Sequence, residues 1–141
     1  AGTPLSALLV REAICCFEPG DQGGTYNGNA LMAAVGLAVL EKLTEPGFLT
    51  RVNEASATLR QGLEALSAKH GLAGVRGRGL LLALDLGPRN DGFAIVEKAL
   101  ENGLLLNAPA PDALRFMPAL NVSDMEIAGM LAILDGLLAG G

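Results

Sequence analysis

Apolar residues fall in blocks along this chain, and the blocks differ in period. From Ala30 to about Leu43 they are almost continuous, and Asn29 stands before them as a helix cap. A helix that is apolar on all sides over its first turns must be buried or lie at an interface. Pro46-Gly47 breaks the chain, and the pattern then turns strictly amphipathic. Val52, Ala55, Leu59, Leu63 and Leu66 recur at helical spacing, against Arg51, Glu54, Arg60, Glu64 and Lys69 on the other side. This second helix should run to about Lys69, with Gly71 as its stop. Near the amino terminus, Leu5 to Val10 is a short apolar run after Pro4; its periodicity fits a buried strand or a helix segment.

Further on, VRGRG leads into LLLALDL, a run of strand length with little alternation, as in a strand covered on both faces or one partly at an interface. Asp91 precedes a helix through Asn102, with Phe93, Val96 and Leu100 expected to face inward. Asn102-Gly103 ends it, LLLN is a short strand, and ALRFM is another, stopped by Pro118. The last helix has a clear signature. Ser123 and Glu126 have capping-box spacing, and Ile127, Met130, Leu131, Leu134, Leu137 and Leu138 make one stripe. Helix, helix, strand, helix, strand, strand, helix predicts an α/β chain of the α+β kind. The architecture expected is a two-layer sandwich, a short mixed or antiparallel sheet covered by helices. Between Glu18 and Asn29 the run EPGDQGGTYNGN is a loop by composition.

The 141 residues are half apolar, enough for a real core, but only 4% are aromatic, so Leu, Ala, Val and Ile must fill it. A formal charge of -5 with dispersed basic residues argues against nucleic acid or an anionic membrane as partner. The longest apolar run, Ala30 to Leu40, is too short to span a bilayer. The start AGTPLSALLV lacks the basic region of a signal peptide, and the missing initiator Met suggests a piece of a longer chain. Cys15 and Cys16 are adjacent, with no third cysteine to pair with. A reducing, cytoplasmic setting and two buried small hydrophobes are expected.

Candidate chemistry is thin. His70, the only histidine, sits at a helix end and reads as exposed or capping rather than as a base. One histidine and two neighbouring cysteines cannot supply the usual zinc spacings. No G-x-S-x-G elbow and no Walker loop occurs. In the loop from Gly23 to Asn29, glycines, the Thr25 hydroxyl and side-chain amides gather before a helix amino terminus, an arrangement able to receive an anion. Arg76 and Arg78 read as a solvated bend. Arg115 alternates to the face opposite Leu114 and Phe116, where it needs a carboxylate or water; an ion pair and bidentate capture of a substrate carboxylate both fit.

The run EPGDQGGTYNGNALMAAVGLAVLE is similar to the segment that follows the cofactor-binding lysine in class III, fold type I, pyridoxal-phosphate-dependent aminotransferases. Gly24, Thr25, Tyr26, Asn27, Gly28 and Asn29 match its glycine-threonine stretch, with Ala30 where the family usually has proline. VRGRGLLLALDL resembles the R-G-x-G-L/M segment, ALRFMPALNVSDMEI the L-R-F-x-P-P/A-L motif, and GLLLNAP the acetylornithine and succinylornithine branch. The motifs stand in order over nearly the whole chain.

The resemblance implies that Gly24 and Thr25 reach the cofactor phosphate of the other subunit of a homodimer, and that Arg115 helps bind the substrate α-carboxylate. It implies the carboxy-terminal part of an enzyme moving an amino group from N-acetylornithine to 2-oxoglutarate, in arginine biosynthesis. Residues 1–28 would be the tail of the large cofactor domain, 29–46 an interdomain helix and 47–141 the carboxy-terminal small domain. The Schiff-base lysine is absent: Lys42, Lys69 and Lys98 lack the family context, so the piece alone should carry no activity and is not expected to bind pyridoxal phosphate. Without its sheet partners, the first ~28 residues should be disordered, rearranged or packed on another chain. Other class III enzymes acting on ornithine, 4-aminobutyrate or succinylornithine, and a non-catalytic interaction module, remain the alternatives.

Overall fold

The computed structural model describes residues 3–140. The chain divides into two compact units, Ala1–Phe48 and Leu49–Gly141.

In the first unit the described residues up to Asn29 form no strand; their one regular element is a single 3-10 turn at Glu12–Ile14. Leu5 to Val10 is therefore neither of the elements its apolar run suggests. Helix α1 spans Ala30–Thr44, and the Asn29 side chain accepts from the Leu31 and Met32 amides. That cap is why the helix begins where it does. None of its residues is buried. Leu5 packs on Gly36, where a Cβ would strike the leucine side chain.

The second unit holds the core. Helix α2 (Phe48–His70) buries Val52, Ala55, Leu59, Leu63 and Leu66, the face read from the spacing. Gly71, at φ 63°, ends it in the left-handed conformation that glycine adopts without a Cβ penalty. Four strands follow: β1 (Gly74–Arg78), β2 (Leu81–Asp85), β3 (Asn107–Ala110) and β4 (Ala113–Phe116), in antiparallel order β1-β2-β4-β3. Between β2 and β3 lies α3 (Gly92–Glu101), and α4 (Asp124–Ala139) closes the chain.

One face of the sheet is covered. Leu82 opposite Phe116 and Leu84 opposite Leu114 are buried and meet the buried residues of the helices. The other face carries Ala83, Arg115 and Asn107 and stays open. This is the expected two-layer α/β sandwich, with the sheet wholly antiparallel. The LLLALDL strand is covered on one face only: Leu81 lies on the open face and is exposed.

Three local expectations shift. VRGR is itself a strand, pairing along the whole of β2, and not a solvated bend. Its Gly77 has φ 122°, and a Cβ there would run into the Leu81 carbonyl and lie 2.9 Å from the Leu82 Cα, so only glycine fits. β3 begins only at Asn107, the last residue of LLLN; Leu104 and Leu106 are half-buried beside the core, outside the sheet. In α3 the inward residues are Gly92, Ile95 and Ala99, while Phe93 and Leu100 are exposed. Gly92 decides this rotation. Its amide donates to the Pro111 carbonyl at 2.9 Å, and that oxygen leaves no space for a side chain.

Helix α4 starts at the capping box read from the sequence. The Ser123 side chain accepts from the Glu126 amide, and the Ser123 amide donates to the Glu126 carboxylate at 2.7 Å. These bonds, backbone first, hold the Glu126 carboxyl below its ordinary pKa. His70 and Lys69, at the end of α2, both bond Asp135 of α4, at 2.7 Å and 2.6 Å. His70 is thus neither exposed nor capping; it ties two helices together. Asp135 is held below the usual carboxylate range, first by Lys69 and then by His70.

Candidate functional site

Two places carry the residues singled out from the sequence, one in each unit. In the first, the Gly23–Asn29 loop is built from turns. The Asn27 amide donates to the Gly24 carbonyl at 3.1 Å and the Asn29 amide to the Tyr26 carbonyl at 3.2 Å. Gly28, at φ 67°, turns the chain into α1. The amides of Gly24 and Thr25 and the Thr25 hydroxyl make no hydrogen bond with any described residue, and all of these residues are exposed. Adjacent free N–H donors with a hydroxyl suit a phosphate oxygen. The helix terminus itself offers less than its position suggests, because Asn29 already occupies the Leu31 and Met32 amides. An anion here would therefore rest on the Gly24-Thr25 backbone, with α1 contributing its dipole.

The second place is the open face of the sheet. Strand pairing puts Arg76, Ala83, Arg115 and Asn107 in one row across β1, β2, β4 and β3. The two arginines differ. Arg76 donates through Nε to both Asp85 oxygens, at 3.0 Å and 2.9 Å, and this partner, by hydrogen bond and then charge, raises its pKa above the ordinary value. Arg115 is exposed and has neither a hydrogen bond nor an ion pair with any described residue. Of the two readings open for it, an internal ion pair is not the one seen.

Arg115 also stands between two open depressions. One, of about 350 Å³, lies over Ala83 and is bounded by Arg76, Gly77 and Leu81. The other, about 230 Å³, is bounded by Leu104, Leu105, Met117 and Met130. A guanidinium with free forks beside a methyl-floored depression can take a planar anion bidentately. Alternation along β4 explains its exposure: with Leu114 and Phe116 in the core, the residue between them must point out.

Several expectations change here. Cys15 and Cys16 are exposed free thiols, not buried packing groups. Among the described residues no cluster of three or more His, Cys, Asp or Glu could hold a metal ion. Among the described residues no helix is long and apolar enough to cross a membrane. Sequence reasoning passed over Asn107 and Asp85. The first was placed at the end of a strand three residues too early, which hid its alignment with Arg115. The second was legible as the only acid within the VRGRGLLLALDL pair of strands, once VRGR is recognised as a strand.

The family model described as aminotransferase class-III matches residues 1–138. Acetylornithine aminotransferase 2 of Bordetella parapertussis is 57% identical over 98% of the chain, and acetylornithine aminotransferase of Ralstonia nicotianae is 57% identical over 97%. The chain spans 35% of the length of each of these relatives. Among solved structures, N-acetylornithine aminotransferase from Stenotrophomonas maltophilia matches with a TM-score of 0.74 and 37% identity, over 80% of this chain and 32% of that one. Acetylornithine aminotransferase from Elizabethkingia anophelis gives 0.79 and 26%, over 89% and 34%. The chain that folds into this loop, helix and one-sided sheet is a member of the class III aminotransferase family.

Proposed function

We propose that these residues form the carboxy-terminal part of a pyridoxal-phosphate-dependent acetylornithine aminotransferase. Such an enzyme passes the amino group of N-acetylornithine to 2-oxoglutarate and serves arginine biosynthesis in the cytoplasm, as a homodimer. The observation that carries the reading is the set of relatives bearing that name over nearly the whole chain, at up to 57% identity. Residues 1–28 belong to the large cofactor domain, 29–46 to an interdomain helix and 47–141 to the small domain. The division after Phe48 supports a boundary near residue 47. The exposed apolar residues Leu8, Leu9, Ile14 and Leu31 support a first unit that is completed by further protein.

The free Gly24 and Thr25 amides and the Thr25 hydroxyl fit the cofactor phosphate, which would come from the other subunit. Bound pyridoxal phosphate supplies an electron sink for the substrate's Cα. The residues of this chain bind and orient. Gly24 and Thr25 hold the phosphate through N–H and O–H donors, and Arg115 presents its fork to the α-carboxylate. That contact would orient the substrate's Cα, a positioning effect.

The test uses the full-length natural protein that contains these residues. Visible absorbance of bound pyridoxal phosphate, and turnover of acetylornithine above succinylornithine, ornithine and 4-aminobutyrate, are the expected results. A protein that binds no such cofactor would be an interaction module instead. Preference for ornithine or 4-aminobutyrate would move it to another class III activity. Arg115→Ala should raise KM roughly 30-fold with cofactor affinity unchanged, from the loss of a charge-assisted pair worth about 2 kcal/mol. Thr25→Ala should do the reverse, weakening the cofactor roughly 10-fold with little change in KM. Exchange of these two phenotypes would defeat both assignments.

A further inference from the structure

Arg115 has a neighbour whose placement depends on a local irregularity. In the β3–β4 ladder Ala110 faces Ala113, and Asn107 faces Arg115. That is three residues along β3 against two along β4, a bulge of one residue. In a regular ladder counted from Ala110, Ala108 would stand opposite Arg115 and Asn107 would point to the other face. The extra residue turns the carboxamide onto the open face, beside the guanidinium. Directly opposed residues have Cβ atoms roughly 4.5–5.5 Å apart, so both side-chain tips can reach one small ligand. β3 is an edge strand, which tolerates both the bulge and Pro109.

The surroundings leave that carboxamide unused. Asn107 is exposed and makes no side-chain hydrogen bond with any described residue. On the far side of Arg115, Ala83 contributes only a methyl, and beyond it Arg76 is already neutralised by Asp85. The row thus presents one free cation flanked by a methyl on one side and a free amide on the other. A carboxylate offers about four lone-pair sites, and a guanidinium fork fills two. An amide donor alongside can fill a third.

We propose that Asn107 is a second contact for the carboxylate that Arg115 binds, with its Nδ2–H donating to one carboxylate oxygen. This deepens the assignment of Arg115 made above and rests on it. Arg115 supplies charge, Asn107 adds a directional neutral donor, and Ala83 leaves the clearance that lets a planar carboxylate lie across the row.

The experiment compares Asn107→Ala, Asn107→Asp and Arg115→Ala in the full-length natural protein. It measures KM and kcat for 2-oxoglutarate, and the inhibition constant of succinate, which has the carboxylates but no carbonyl to react. Asn107→Ala should raise both KM and the succinate constant roughly five-fold with kcat preserved. Asn107→Asp, nearly isosteric, should raise them at least ten times further, because a second anion then faces the ligand. If Asn107 instead steadied Arg115 through its carbonyl oxygen, the aspartate would match or better the native protein, and the proposal would be wrong. Unchanged constants in Asn107→Ala would overturn it as well. If Arg115→Ala also leaves the constants unchanged, the failure lies in the carboxylate site as a whole and not in Asn107 alone.

Discussion

The two units contain similar residues and use them differently. In the first, Leu9 is 94% exposed, and nothing between residues 3 and 48 is buried. In the second, Leu63, Leu84 and Leu134 are fully buried. Apolar content alone does not make a core; a face must meet another face of matching period. Helix α2 carries a stripe and a sheet lies under it. Helix α1 is apolar all round, and a helix of that kind needs partners on every side.

The contrast can be broken most sharply by truncating one leucine in each unit. Leu63→Ala should lower the unfolding free energy of the second unit by about 3 kcal/mol, through lost burial and a cavity. Leu9→Ala should change it by less than about 0.3 kcal/mol. Denaturant unfolding of the 141-residue chain checks both, and a comparable loss from the two would show that the first unit shares the core.

A smaller effect sharpens the same comparison at the helix ends. Ser123→Ala should cost the second unit about 1 kcal/mol, because the capping box is lost in a helix that unfolds with the core. Asn29→Ala, though it removes two bonds, should leave that transition where it is, since no residue of α1 is buried. Circular dichroism at the helix band, followed through the transition, separates loss of one helix from loss of the fold.

The smallest effect is one of pH. Asp135 and Glu126 have depressed pKa values in the folded chain, so their contribution is complete above the ordinary carboxylate range. It is lost as the pH falls through their lowered values, where the folded state must take up protons that the unfolded state already binds. The midpoint temperature of the second unit should therefore decline with acidity below that range, and Asp135→Asn should flatten the slope. A midpoint independent of pH there would mean that the Lys69 and His70 tie contributes nothing to stability.

Most of the second unit could be read from its residues. The stripe of α2, its Gly71 stop, the strand around Arg115 and the Ser123 box all follow from local rules that tertiary contacts here reinforce. The misreadings share a cause. The strand GVRGR has two charged side chains and two glycines, so its pairing depends on β2 and not on its own propensity. The rotation of α3 hinges on one backbone contact at Gly92, and no side-chain period reports it. The Leu5–Val10 run and the two cysteines were read as core on composition, but burial requires a partner surface. Of the candidate site, Arg115 was legible by alternation, and the Gly24-Thr25 turn by composition. Asn107 was not, because a bulge changes which face a residue joins without marking the sequence.

The absent methyl at Gly77 reaches further than its own hairpin. Any larger residue there would press on the Leu81 carbonyl and lever β1 off its neighbour, or push the pairing along by one place. A one-place slip of β2 would trade its inner leucines for Ala83 and bring grease to the surface where the guanidinium of β4 now stands clear. A single hydrogen in place of a side chain, two strands away, thus helps keep clear the face of the sheet that carries Arg115.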